Sequence, residues 1–346
     1  MGLIKNLPNC PFGRDGWPWN LEVDADIYDD AIDWPKISIV TPSFNQGKYI
    51  EETIRSVLLQ NYPEIEYILI DGGSTDNTMK ILNEYEKNIT YWVSEKDRGQ
   101  SEAINKGLKQ CSGTIFNWLN SDDFLEPKAL YHIAIAFINN ISALAVSGKE
   151  RAIYSNKDEI KINNGTNIKS SLEETLFFGY IDQPVTFFKK LCFDKIGPLN
   201  EEFHYTMDSE WWCRYLCEYG LDKIVNIKPI LANFRHHNIS KSKFGDLANP
   251  KFQKDRNTIH LSILKSLNSP SWLFDHYERK PRINIYDSEW EFNFINDSSL
   301  LDLFAQSMVQ DLKNNGQIIK AIKPKLYSLR KRIKSRIFRI KYNNKS

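Results

Sequence analysis

Two adjacent acids, Asp122 and Asp123, end an apolar run in the stretch "FNWLNSDDFLEP", residues 116–127. Side-by-side carboxylates repel each other, and aspartate is a poor strand residue. The pair suits a turn, because Asn, Ser and Asp bond their own backbone and stop strands. It equally suits a divalent cation, which converts the repulsion into a ligand set. Other polar clusters stand at Thr41–Asn45 ("TPSFN"), Asp71–Ser74 ("DGGS") and Glu95–Arg98 ("EKDR").

Strands must deliver such residues, and helices must cover the strands. "ISIV" from Ile37 reads as a short buried strand, closed by Thr41-Pro42-Ser43. In "GKYIEETIRSVLLQ", Ile50, Ile54, Val57 and Leu58 share one face of an amphipathic helix. The unit recurs: a strand over 66–70 ends at Asp71 and a Gly-Gly turn, before a helix in "TDNTMKILNEYEKN" that Thr75 or Asp76 can cap. "ITYWVSE" predicts a third strand, "SEAINKGLKQC" a helix, and "TIFNWLN" a fourth strand ending at the acidic pair. This alternation predicts an α/β fold with a mainly parallel sheet flanked by helices. Every polar cluster then falls at the C-terminal end of a strand, the rim where open α/β sheets bind ligands.

Beyond residue 150 the pattern loosens. "ERAIYSNKDEIKINNG" suits a hairpin, and "IDQPVTFFKKLCFDKIGPLNE" a short strand and a helix. "MDSEWWCRYLCEYG" predicts a helix with Trp211, Tyr215 and Leu216 inward, and helices with loops follow from about residue 250. Residues 1–36, rich in Pro, Trp, Gly and Asp, read as an extended arm.

The 346 residues are 41% hydrophobic, 13% aromatic and 26% charged, a globular composition with room for one large α/β domain and an appendage. The five cysteines form no CxxC pair. Cys213 and Cys217, four apart in a predicted helix, read as small buried residues rather than zinc ligands, and a reducing cytoplasm fits. "MGLIKNLPNC" has no signal-peptide core. "ALYHIAIAFINNISALAVSG", residues 129–148, is too polar for a membrane span and predicts a helix, a turn and a short strand. The net charge of +1 hides an asymmetry: residues 320–346 hold eleven Lys and Arg and no acid, leaving the rest at −10. Leu326, Leu329, Ile333, Ile337 and Ile340 recur at helical spacing in this tail. It suits a helix lying on an anionic membrane surface, or a solvated helix packing its stripe on the body. No nucleic-acid recognition motif accompanies the charges.

The segments "ISIVTPSFNQGKYIEETIRSVLLQ", "YILIDGGSTDNT", "SEKDRGQSEAINKG" and "WLNSDDF" resemble, in order and spacing, family 2 of the inverting, nucleotide-sugar-dependent glycosyltransferases. "DQPVTFFKK", "HYTMDSEWWCR" and "RHHNISKS" are similar to that family's acceptor-side segments, and the resemblance covers residues 35–245. It implies the GT-A (Rossmann-like) fold over 37–245, with a nucleotide-sugar half (37–125) and an acceptor half (126–245). A helical extension (246–319) and the basic tail (320–346) would follow. Thr41 and Phe44 would meet the base by backbone contact and stacking. Asp71 would accept a hydrogen bond from the base, and Arg98 would contact the nucleotide. In Ser121-Asp122-Asp123, the family's variant of a DxD motif, Asp122 would face the ribose and Asp123 would coordinate Mg²⁺ or Mn²⁺ on the diphosphate. Asp208 matches the acceptor-side base, although Met207 stands where the family often has Glu. Glu210 is the fallback, on a side of the helix about 200° away. His237 would be a metal ligand or phosphate contact, and Gln183 and Pro184 would help form the acceptor pocket.

The resemblance thus implies metal-dependent sugar transfer from a nucleoside diphosphate sugar to a glycan or lipid-linked acceptor. The product would be a bacterial surface polysaccharide (O-antigen, capsule or exopolysaccharide), made in the cytoplasm or peripherally on the inner face of the membrane. Two rivals stand beside it. A metal-dependent nucleotidyltransferase would carry a basic Gly-rich loop after the first strand, and "TPSFNQGKY" is not one. A non-catalytic nucleotide-sugar-binding protein would lack the acceptor-side acid.

Overall fold

The computed structural model describes residues 2–154, 159–237, 249–283 and 297–314. The strands β1 (Ile37–Ser43), β2 (Ile65–Asp71), β3 (Tyr91–Ser94) and β4 (Ile115–Trp118) run parallel in the order β3-β2-β1-β4. They are joined through α1 (Ile50–Leu58), α2 (Thr78–Tyr85) and α3 (Gln100–Gln110). A parallel sheet is covered on both faces, so its strands carry apolar residues of both parities. Ile37, Ile39, Tyr67, Leu69 and Ile115 feed one core, while Val40, Ile68, Ile70, Phe116 and Trp118 feed the other. Asp76, just outside α2, takes the Thr78 N–H at 2.9 Å.

The sheet continues as a mixed one through β5 (Phe124–Leu125), α4 (Ala129–Asn139), β6 (Ala145–Tyr154), β7 (Glu159–Asn163), α5 (Leu172–Phe178), β8 (Thr186–Lys189), α6 (Leu191–Ile196), α7 (Met207–Tyr219) and β9 (Ile224–His236). β8 lies antiparallel between β4 and β6, β6 runs parallel to β9, and β5 returns antiparallel along β9. β7 forms the expected hairpin partner of β6. Trp211, Tyr215 and Leu216 of α7 are fully buried, as their spacing predicts, and Cys213 and Cys217 are buried free thiols.

No sequence pattern announced β9, because a proline inside a run argues against a strand. Pro229 sits where the β6–β9 register slips, between Ser147↔Asn226 and Lys149↔Ile230, an irregularity that accommodates it. Arg235 and His236, which open the segment "RHHNISKS", are the last residues of this strand. Residues 238–242 of that segment, and the basic tail 320–346, lie outside the described residues.

Opposite faces of the sheet are covered by opposite ends of the chain. Ile259 and Leu264 of α8 (Pro250–Ser266), Leu273 of α9 (Ser271–Glu278) and Phe304 of α10 (Asp297–Asn314) join the core that holds Trp118. Leu7, Val23, Tyr28 and Trp34 of the N-terminal arm join the other. Arg55 on α1, fully buried, ties that arm down by donating to the carbonyls of Pro8 (3.0 Å), Pro18 (3.1 Å) and Trp19 (2.7 Å) and to the Tyr85 hydroxyl (2.8 Å). A buried guanidinium requires such complete pairing.

Candidate active site

The parallel register aligns the polar strand ends on one rim: Ser43 lies beside Asp71, and Asp71 beside Ser94. The Asp71 carboxylate is fully buried. Its Oδ2 accepts from the Gly73 N–H (3.1 Å), the Ser74 N–H (2.8 Å) and Ser94 Oγ (2.7 Å), and its Oδ1 accepts from Ser74 Oγ. The turn is therefore built around this side chain, which presents no oxygen to solvent. A Cβ on Gly72 would fall 2.6 Å from an Asp97 carboxylate oxygen, so glycine is needed for that close approach. Burial raises the Asp97 carboxyl.

Phe44, just past β1, is 59% exposed, so it is not a core residue. Thr41 is buried and accepts from the Tyr67 hydroxyl at 3.1 Å, leaving its backbone as its contribution to the rim. Arg98 pairs with Glu102 (2.9 Å) and with Glu201. In this arrangement it clamps the start of α3.

The acidic loop after β4 is held from three directions. Thr53 Oγ1 on α1 lies 3.0 Å from the Ser121 carbonyl and 2.6 Å from that of Asp123. The Arg235 N–H donates to Asp123 Oδ1 (2.9 Å), and its guanidinium donates to the Asp122 carbonyl (2.7 Å). That guanidinium also pairs with Glu52 at 2.7 Å and lies 4.5 Å from the centre of the Phe124 ring. Asp122 Oδ2 meets His237 Nε2 at 2.9 Å, and the imidazole stacks on Tyr49 at 4.9 Å. His237 thus stands beside Asp122, with Asp122 rather than Asp123 as its carboxylate.

Asp123 is in a different situation from Asp71. It is fully buried, and besides the Arg235 N–H it has only a long contact from the Asn120 amide, 3.3 Å. Burial pushes its carboxyl well up, with Asp122 and Glu150 adding repulsion. Glu150 on β6 and Asp182 also lie raised, by burial first, with the charge of Glu150 adding repulsion at Asp182. Asp182 feels the charges of Asp123 and Asp208 as well. Asp208, in the first turn of α7, accepts the Ser209 N–H at 2.7 Å, and burial raises its carboxyl to about 6. Four acids from distant segments therefore share one field.

Glu210 has no part in it. It is fully buried and grips the Arg214 guanidinium with both oxygens, at 2.8 and 2.9 Å. Gln183 and Pro184 are buried as well. Gln183 Nε2 donates to Asn117 Oδ1 (3.0 Å) and the Trp118 carbonyl (2.6 Å), and the Pro184 carbonyl accepts from Asn117 Nδ2 (3.3 Å). They brace β4 before the acidic loop. Asp182, their neighbour, is the residue of that segment that joins the acids. Asp182 and Arg235 lay within quoted motifs without being singled out for this role, whereas Glu150 sits in a strand pattern that carries no signal.

A hard divalent cation fits this donor set, since carboxylate oxygens short of hydrogen-bond donors are what such an ion neutralises. Among the described residues, no group of three or more His, Cys, Asp or Glu converges to hold a cation alone. The protein would supply one or two ligands, as suits Mg²⁺. Also among the described residues, no helix is long and apolar enough to cross a membrane.

The fold and its neighbours agree. The crystal structure of S. aureus TarS 1–349 superposes with a TM-score of 0.52 at 18% identity, covering 85% of this chain and 87% of that one. TarS has also been solved in complex with UDP and with UDP-GlcNAc. Chondroitin synthase of Escherichia coli is 30% identical over 194 residues, 56% of this chain and 28% of that protein. The chain likewise spans under two thirds, 59% and 58%, of two rickettsial relatives. An uncharacterized glycosyltransferase of Mycobacterium tuberculosis (strain CDC 1551 / Oshkosh) is 30% identical over 225 residues, 62% of this chain and 82% of the relative. The profile of Glycosyl transferase family 2 matches residues 38–194, and with that relative aligned over most of its length, the chain belongs to glycosyl transferase family 2.

Proposed function

We propose that the chain is a metal-dependent, inverting glycosyltransferase that moves a sugar from a nucleoside diphosphate sugar to a hydroxyl of a glycan or lipid-linked acceptor. One observation carries the reading. Two carboxylates whose charges both reach Asp182 stand in different environments: Asp123, short of donors and pushed well up, and Asp208, raised to about 6. Acids pushed into different environments are how one site acquires both an ion holder and a base.

In this reading the exposed Phe44 ring stacks on the base, and Asp71 shapes the base site by holding the Gly72–Ser74 turn. Asp122, oriented by His237, faces the ribose. Asp123 and the diphosphate oxygens would hold Mg²⁺ or Mn²⁺, which supplies Lewis-acid neutralisation of the leaving diphosphate. Asp208 takes the proton of the acceptor hydroxyl while its oxygen bonds to the anomeric carbon. The bond from that carbon to the diphosphate breaks with its electron pair leaving on the diphosphate, and the configuration inverts. A base near 6 is ionised at neutral pH and still basic enough to be worth roughly 10²–10⁴-fold. The UDP and UDP-GlcNAc complexes of TarS support a nucleoside diphosphate sugar as donor. The likeness to chondroitin synthase supports a polysaccharide as product. The basic tail would keep the enzyme at the inner face of the membrane.

The test is nucleoside diphosphate release from a panel of labelled nucleotide sugars, with and without Mn²⁺. Metal-dependent release with at least one donor, lost in Asp208→Asn when acceptor is present, is expected. No release with any donor would overturn the reading.

A further inference from the structure

A cavity of about 420 Å³ lies between the loop after β7, Tyr180 and Asn226 of β9. Its walls include Asn163, Asn164, Thr166, Asn167, Tyr180 and Asn226. Local backbone features build it. The loop after β7 crosses β6 where two glycines meet: a Cβ on Gly165 (φ +81°) would fall 2.0 Å from the Gly148 carbonyl. The register slip after Ser147↔Asn226 lets β9 diverge beneath that crossing. An isolated bridge between Asn167 and Tyr180 closes one side.

The chemistry of the lining is selective. Besides Ile162 and Ile168 it holds amides, a hydroxyl and a half-exposed aromatic ring, and no Lys, Arg, His, Asp or Glu. A phosphate or other anion would need a cation there, and a metal ion would need a carboxylate. An acyl chain would need continuous apolar walls. Neutral donors and acceptors beside an aromatic face suit a neutral, hydroxyl-rich ligand with one apolar side, and the volume lies within the roughly 300–1,000 Å³ of small-ligand sites. The Asn167 amide oxygen is buried with no hydrogen-bond partner among the described residues, an acceptor that the protein itself leaves unsatisfied.

The cavity also adjoins the acids. Asn163 Nδ2 donates to Glu150 Oε1 at 2.8 Å, and Thr166 Oγ1 accepts the Asp182 N–H at 3.0 Å. One residue layer thus separates it from the Glu150–Asp182 pair.

We propose that this cavity is a subsite for a neutral sugar unit of the acceptor glycan, remote from the unit that receives the new sugar. The inference rests on the acceptor being a glycan, the reading given above. An acceptor more than one unit long would then be gripped at two places, near Asp208 and between Tyr180 and Asn226.

The test uses the full chain and an array of neutral and uronate-containing bacterial oligosaccharides. Neutral oligosaccharides should bind. Tyr180→Ala and Asn226→Ala should each weaken binding about three- to tenfold, the scale of one neutral hydrogen bond or ring contact. Both positions are exposed, so truncation leaves the fold intact, which matching thermal midpoints would verify. Absence of binding to every neutral oligosaccharide, or binding that both variants retain, would overturn the subsite and leave a water-filled groove. Donor release by the same wild-type preparation separates the two readings. Release with variant-insensitive glycan binding defeats the subsite alone; variant-sensitive binding without release from any donor defeats the transferase reading alone.

Discussion

Asp71 ends β2 and Asp123 lies in the loop that follows β4, and both are fully buried, yet their surroundings differ. Asp71 is met by two backbone N–H groups and two hydroxyls. Among the described residues Asp123 has one N–H and one long amide contact, and the repulsion of Asp122 and Glu150 is only partly offset by the charge of Arg235. A carboxylate surrounded by donors is a scaffold, since its charge is already compensated. One surrounded by other carboxylates is a site, because only a cation or a proton relieves it.

The most direct way to break this contrast is Asp123→Asn. We expect a loss of roughly 10²–10³-fold in sugar transfer, the several kcal/mol a Lewis acid contributes. Stability should be unchanged or raised, and Mn²⁺ should no longer lift the thermal midpoint. Retained activity with Mn²⁺ would return Asp123 to the turn reading.

Asp208 supplies a linkage test. Its folded value of about 6 lies above the ordinary 3.8, so the folded state binds more protons between those values, and stability is lost as pH rises through that window. Asp208→Asn should therefore match the wild type near pH 3.5 and exceed it by about 3 kcal/mol at pH 7.5. Urea melts at the two pH values check this, and kcat/KM of the wild type should rise with pH through about 6. A pH-independent difference would mean that Asp208 is not the raised group.

Asp71→Asn tests the other arm of the comparison. It weakens bonds that a charge now strengthens, and we expect about 2 kcal/mol of lost stability in urea melts, without loss of metal response. A neutral result would show that the turn holds without its carboxylate. Phe44→Ala should leave stability within about 0.5 kcal/mol, as for an exposed side chain, and raise the donor KM roughly five- to thirtyfold through lost stacking. An unchanged KM would remove Phe44 from the base site. The smallest effect is expected at Arg98, already engaged by Glu102 and Glu201. Arg98→Ala should change donor KM by at most about threefold, and a larger rise would show that it exchanges those partners for the nucleotide.

Periodicity and strand-end composition made the parallel half of the sheet legible, down to Asp71 and the Asp122–Asp123 loop. Those elements are local: each strand, turn and helix is written in a few consecutive residues. β9 was not legible, because Pro229 lies in a register slip that only the β6 partner explains. Glu210 was legible as the weaker candidate from helix geometry, and its pairing with Arg214 agrees.

By itself, then, the sequence determined the order of the βαβ units, the acids at the strand ends and the family to which they belong. The tertiary structure alone decided which acids are compensated. It brought Arg235 to the acidic loop across more than a hundred residues, and it set Asp182 within the field of Glu150, Asp123 and Asp208. The reason is physical. Whether a carboxylate is spent or available depends on the donors and charges within a few ångströms, and those neighbours come from segments that no local pattern connects.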